Sequence, residues 1–203
     1  MLKVKYYTMQ TSILQPIRNS TGFRANISDT YRFTAIMEES LLRKLTTAFS
    51  LVGETEVSLA EKCTATMEIA RFEGIERLED TLSRWTQRIC SQTVPMELEV
   101  NNFGGIPPHK IYVRILDPGS VKKLVADLRK LDLYLTGNGQ DPLEASNRYI
   151  ISLSEKVQPD QFDNLLYKLG RIEFRETLKV VGLSLQRKEY NQWKNVRQFY
   201  FSA

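Results

Sequence analysis

Thr64, Thr66 and Glu68 stand two residues apart in the stretch CTATMEIA, residues 63–70. In an extended strand that spacing turns two hydroxyls and a carboxylate to one face, while Cys63, Ala65, Met67 and Ile69 share the other. Short hydroxyls are an odd choice for a plain solvent face, but they are good hydrogen-bond partners for an anion such as phosphate. A second strand-like stretch, RYIISLS at 148–154, carries Ile150 and Ser152 at the same spacing. Two such strands facing each other could form the two sides of a binding cleft. Acid–base work there would fall to Glu68, with its pKa raised by burial, or to Tyr149, which lies on the opposite face of its strand.

An imidazole, the usual base at neutral pH, has no place in this pattern. The chain has one histidine, His109 in GGIPPHKI, which reads as an ordinary loop residue. Mechanisms that need two imidazoles, a His-rich metal site or a histidine relay are therefore excluded. The two cysteines, Cys63 and Cys90, have no metal-ligand spacing and are too few for a disulfide framework. They are expected as reduced thiols of an intracellular protein. There is no Walker pattern and no Ser/His/Asp set, and Gly137-Asn138-Gly139 is a turn without the spacing of a phosphate loop. No cofactor and no metal are expected.

Lysines and arginines number 28 against 24 acidic residues, a net charge of +4 over 203 residues. So mild a surplus permits a nucleic acid or another phosphate-bearing partner without demanding one. The start, MLKVKYYTMQTSIL, lacks the apolar core of a signal peptide, and no apolar run is long enough to span a membrane. A cytoplasmic protein with no membrane partner is the expectation.

Periodicity places the elements that must position these side chains. Residues 1–30 read as an N-terminal extension with a short strand near Val4–Met9. Strands are predicted at 31–37, 62–71, 95–102, 110–116 and 148–154, where apolar and polar residues alternate. Helices are predicted at 38–49, 75–89, 121–131 and 159–170, where leucines recur every three or four residues. A loop rich in Gly, Asn and Asp covers 136–147, and two closing strands lie at about 178–187 and 194–201. The order strand–helix–strand–helix–strand thus occurs twice. It predicts an α+β protein of two pseudo-symmetric lobes, about 31–102 and 110–175. Each lobe is an antiparallel-rich sheet with helices on its outer face, and the two flank a central groove. Arg32 and Thr34, and on the other lobe Lys110, Tyr112 and Arg114, alternate with apolar residues and are expected to face that groove. Lys62, Arg71 and Lys156 read as strand-end charges able to offset Glu68. Trp193, Phe199, Tyr200 and Phe201 read as the last strand packing on the core, with base stacking as the alternative.

This order, together with VNNFGGIPPHKIYVRIL before the second lobe, RYIISLSEKV before a helix and the ending VVGLSLQRKEYNQWKNVRQFYF, resembles the two-histidine phosphoesterase family. That family includes the 2′-5′ RNA ligase-like proteins and cyclic nucleotide phosphodiesterases. The resemblance runs from about Tyr31 to Phe201 and implies a site built from two His-x-Thr/Ser motifs, one on a strand of each lobe. It sets Thr66 and Ser152 in the hydroxyl positions, and Thr64 and Ile150 where histidines are expected. A threonine has no titratable proton in range and an isoleucine has no polar atom.

The resemblance therefore implies a degenerate 2′-5′ RNA ligase or cyclic phosphodiesterase-like protein without catalytic residues. It would bind a nucleotide, RNA or a small phosphate ester through Thr64, Thr66, Glu68, Ser152, Arg32, Tyr112 and Arg114. Two alternatives stand beside it. One is an enzyme with a rearranged site using Glu68 or Tyr149. The other is a scaffold or interaction module whose groove is filled by side chains, Ile150 among them.

Overall fold

The computed structural model describes residues 28–50, 65–108, 110–154 and 159–202. The expected strand at Val4–Met9 and the residues Lys62, Cys63, Thr64, His109 and Lys156 lie outside them. The described chain folds into eight strands and five helices. These are β1 (Asp29–Met37), α1 (Glu39–Ser50), β2 (Glu68–Gly74), α2 (Glu79–Cys90), β3 (Met96–Ile106), β4 (Lys110–Ile115), α3 (Gly119–Leu128), α4 (Asp132–Gly137), β5 (Glu144–Ala145), β6 (Ile150–Ser154), α5 (Pro159–Leu169), β7 (Arg175–Glu189) and β8 (Gln192–Tyr200). The long helical periodicity over 121–131 and beyond resolves into α3, a 3-10 turn at Arg129–Leu131 and α4.

Every strand pairing is antiparallel, in the order β5-β2-β1-β7-β3-β4-β6, with β8 added along β7. Leaving out the two-residue β5, the order is symmetric about its centre. β2-β1 stands at one end, β4-β6 at the other, and each half sends its third strand to the middle. There β3, from the first half, pairs with β7, from the second. The fold is α+β, and its sheet curls far enough for its two ends to meet: Thr66, just before β2, pairs with Ser152 of β6.

β7 is the spine of this arrangement. Along one edge it pairs β1 through residues 180–187; along the other it pairs β3 through 175–180 and β8 through 182–189. Gly182 stands where β1 and β8 both flank the strand. A Cβ there would lie 2.2 Å from the Phe199 carbonyl oxygen and 3.1 Å from the Tyr200 Cα.

The core fills one face of the sheet. Tyr31, Phe33, Met67, Ile69, Val113, Ile151, Leu153, Leu183 and Phe199 are wholly buried, and Leu82, Leu124, Leu128 and Leu165 press onto them from α2, α3 and α5. That apolar spacing is what made the helices legible, since burial of one stripe is their main source of stability. α2 is also fastened to the sheet by charge: Tyr31 Oη donates to Glu79 at 2.8 Å, and Arg187 bonds Glu79 and Glu189, each at 2.9 Å. Burial, then the Glu79 bond, raises the Tyr31 phenol well above its ordinary range. Cys90 is a buried free thiol whose pKa is pushed up to about 12 by burial, so it behaves as a core residue. No helix among the described residues is long and apolar enough to cross a membrane.

Because the atoms blocking residue 182 are backbone, they cannot swing aside. Gly182→Ala is expected to cost about 3 kcal/mol, read as a lowered urea midpoint with an unchanged slope.

Candidate functional site

Thr66 and Ser152 exchange both of their backbone hydrogen bonds, N–H to carbonyl at 2.8 Å in each direction. A pair bonded in this way turns its two side chains to one face. Two bulges prepare the meeting. Between β1 and β2 the register moves from Phe33↔Ala70 to Thr34↔Glu68, so Ile69 is the extra residue. Between β4 and β6 it moves from Ile111↔Ser154 to Tyr112↔Ser152, so Leu153 is extra. A bulge bends its strand and re-aims the residues beyond it. Here each strand stays paired with its neighbour beyond the bulge, Glu68 with Thr34 and Ser152 with Tyr112, while its other edge meets the other half. β2 begins at Glu68, later than the alternation from residue 62 suggests.

The matched bulges register Glu68 with Ser152, Thr66 with Ile150 and Arg32 with Lys110. Spacing within the two sequence stretches sets Thr64 against Ile150; the strand register sets Thr66 there. Neither register supplies an imidazole.

A cavity of about 370 Å³ opens over the pair. Its floor holds Thr66, Glu68, Ile150 and Ser152. Five cationic side chains surround them: Arg32, Arg71, Lys110, Arg148 and Lys188; Trp193 closes one side. Glu68 is the only carboxylate among the lining residues.

In the first half of this floor the carboxylate is engaged from within. Arg71 bonds both Glu68 oxygens, at 3.0 and 3.1 Å, and Arg32 Nη1 lies 3.7 Å from the same carboxylate. Strict alternation would put residues 68 and 71 on opposite faces. The extra Ile69 makes both Ile69 and Ala70 buried and returns Arg71 to the side of Glu68. Arg32 is 8% exposed. Its Nε donates to Gln186, its cross-strand partner, at 2.9 Å, and its guanidinium lies 4.0 Å from the Trp193 ring centre. A desolvated stack of this kind contributes on the order of 1–2 kcal/mol.

The second half is left open. Lys110, Arg148 and Lys188 have no carboxylate partner among the described residues. Ser152 is 7% exposed, and its hydroxyl has no hydrogen-bond partner among them. A buried hydroxyl in that state carries a desolvation cost of roughly 1–3 kcal/mol. Groups placed so can accept an anion: hydroxyl and cationic side chains line one cavity, and no described residue satisfies them.

Of the residues expected to bind a ligand, Arg32, Thr66, Glu68 and Ser152 come together in the cavity, while Thr64 lies outside the described residues. Tyr112 and Arg114 do not line it. They are, on β4, the cross-strand partners of Ser152 and Ile150, and the Tyr112 ring lies over Gly104. Tyr149 packs against the core, where burial raises its phenol and Arg129 opposes the rise. Phe199 and Phe201 are buried as closing-strand residues, whereas Trp193 faces the cavity. Periodicity does not mark Arg148 and Lys188 as lining residues. Lys188 stands across from Trp193 in the β7–β8 hairpin, whose two-residue turn, Tyr190-Asn191, has φ values of 48° and 64°. Reading that turn would have paired the two side chains from sequence. Among the described residues no three of His, Cys, Asp and Glu gather as metal ligands.

No protein-family model matches the sequence, and no curated protein does. Solved structures do match. E. coli LigT complexed with NADP+ aligns with a TM-score of 0.58 at 11% identity, over 87% of this chain and 100% of LigT. LigT complexed with 3′-AMP gives 0.55 at 12% over the same shares. The protein TT0787 of Thermus thermophilus gives 0.56 at 13%, over 85% of this chain and 97% of its own. Backbone agreement along nearly the whole of those chains, at so low an identity, is agreement of fold: the chain has a LigT-like fold.

Proposed function

We propose that this chain binds a nucleotide, an RNA end or a similar phosphate ester in the cavity over Thr66 and Ser152, and does not process it by histidine chemistry. The observation that carries the reading is the Ser152 hydroxyl. It is buried and without a partner among the described residues, on the floor of a cavity with five cations and one carboxylate. An anion would satisfy the hydroxyl and offset the charge together. The open volume supports binding over a groove filled by side chains. E. coli LigT, which shares the fold, has been crystallised with 3′-AMP, ATP and phosphate.

The case against processing rests on the residues themselves. Thr66 and Ile150 face the ligand where proton carriers would be wanted. Glu68 is engaged by two guanidinium groups, which hold its side chain in position. A group so held contributes to the shape and potential of the site.

The test is calorimetric titration with 3′-AMP beside a turnover assay with 2′,3′-cyclic AMP. Binding without turnover is expected. Hydrolysis of the cyclic ester that disappears in Thr66→Ala would overturn the reading.

Two variants probe the carrying observation. Ser152→Ala removes a buried hydroxyl that nothing satisfies, so the ligand-free protein should gain about 1 kcal/mol of stability, seen as a higher Tm. The same variant should bind 3′-AMP about tenfold more weakly, a trade of stability for function. Glu68→Gln removes one negative charge and releases Arg32 and Arg71. Inorganic phosphate should then bind severalfold more tightly by the same titration.

A further inference from the structure

The two halves of the cavity are related by strand register but differ in charge. In the first half Glu68 lies between Arg71 and Arg32, so a carboxylate already stands where an anion would be held. In the second half the register counterpart of Glu68 is Ser152, whose hydroxyl is buried and without a partner among the described residues. The counterpart of Arg32 is Lys110, which no carboxylate among them engages. Arg148, two residues before Ile150, and Lys188, from the β7–β8 hairpin, add two more cations in the same state.

We propose that the site is asymmetric and selects the terminal phosphomonoester of a small nucleotide over a diester or cyclic phosphate, holding the phosphoryl group in the second half through Ser152, Lys110 and Arg148. This inference rests on the phosphate-ester reading above and names its ligand class. A diester or a 2′,3′-cyclic phosphate carries one negative charge, which would leave two of the three unpaired cations facing each other. A phosphomonoester carries between about 1.5 and 2 negative charges near pH 7 and presents three acceptor oxygens. Three acceptors match one hydroxyl and two cationic donors, and the third cation, Lys188, meets the remaining charge. The first half competes less well for the group, because Glu68 already stands between its two guanidinium groups. The volume of about 370 Å³ suits one nucleotide unit and not a strand laid through it.

The experiment is titration of the whole chain, at one pH and one ionic strength, with four adenosine ligands. These are 3′-AMP, 2′,3′-cyclic AMP, 5′-AMP and its methyl phosphodiester, so that each pair differs chiefly in phosphate charge. The monoester of each pair should bind about tenfold more tightly. Lys110→Gln and Arg148→Gln should each erase most of that preference while changing the affinity of the singly charged ligand less. Both positions are solvent-accessible, so the variants should fold, which an unchanged Tm would verify. Equal affinity within each pair, or tighter binding of the cyclic ester, would overturn the asymmetry and leave the phosphate-ester reading standing. Binding of none of the four would overturn both. A monoester preference that survives both variants would place the phosphoryl group elsewhere and sink the assignment to Ser152, Lys110 and Arg148.

Discussion

The site depends on one reciprocal backbone contact, the two hydrogen bonds between Thr66 and Ser152. It joins the two ends of a sheet that otherwise runs unbroken from β2 through β1, β7, β3 and β4 to β6. Without it the residues of the cavity floor would sit on different surfaces. With it, two hydroxyl-bearing positions distant in sequence become neighbours with a common facing direction. The contact is possible only because each strand carries a bulge at Ile69 or Leu153. An added residue there increases local twist and re-aims the strand.

The same geometry explains why the floor reads as two related halves with unlike chemistry. The backbone repeats, bulge for bulge. The side chains do not: Glu68 stands in the register place of Ser152, and Arg32, stacked on Trp193 and bonded to Gln186, in that of Lys110. One half is a closed set of charges stable on its own. The other keeps buried polarity unanswered, which folding tolerates when a ligand supplies the missing partner. A scaffold that places two strand positions together accommodates either arrangement, which is why a shared fold does not carry a shared activity with it.

Much of the architecture is legible in the periodicity of the chain. The helices at 38–49 and 159–170 and the strands at 31–37 and 110–116 agree with α1, α5, β1 and β4 to within two residues at each end. They do so because burial of one face imposes a period that the order of residues preserves. Boundaries fail where periodicity fails. Alternation starts β2 too early, since a bulge breaks the pattern without leaving a mark such as glycine. It sets Arg71 at a strand end for the same reason. Tyr112 and Arg114 pair with the floor residues Ser152 and Ile150 without lining the cavity, because alternation says which face a residue takes, but not which neighbour its side chain covers.

The amino-acid sequence by itself determined which residues are at hand for chemistry. With one histidine in 203 residues, and that one outside both motifs, no two-imidazole mechanism is available to any fold of the chain. Short hydroxyls spaced two apart, with a mild positive surplus, point to an anion. Only the tertiary structure decided which residues share the cavity. Arg148 and Lys188 arrive from a loop and a hairpin, Trp193 turns away from the core that its aromatic neighbours fill, and Arg71 joins Glu68 across a bulge. Those placements follow from how strands far apart in the chain register against one another, and local periodicity carries no information about that register.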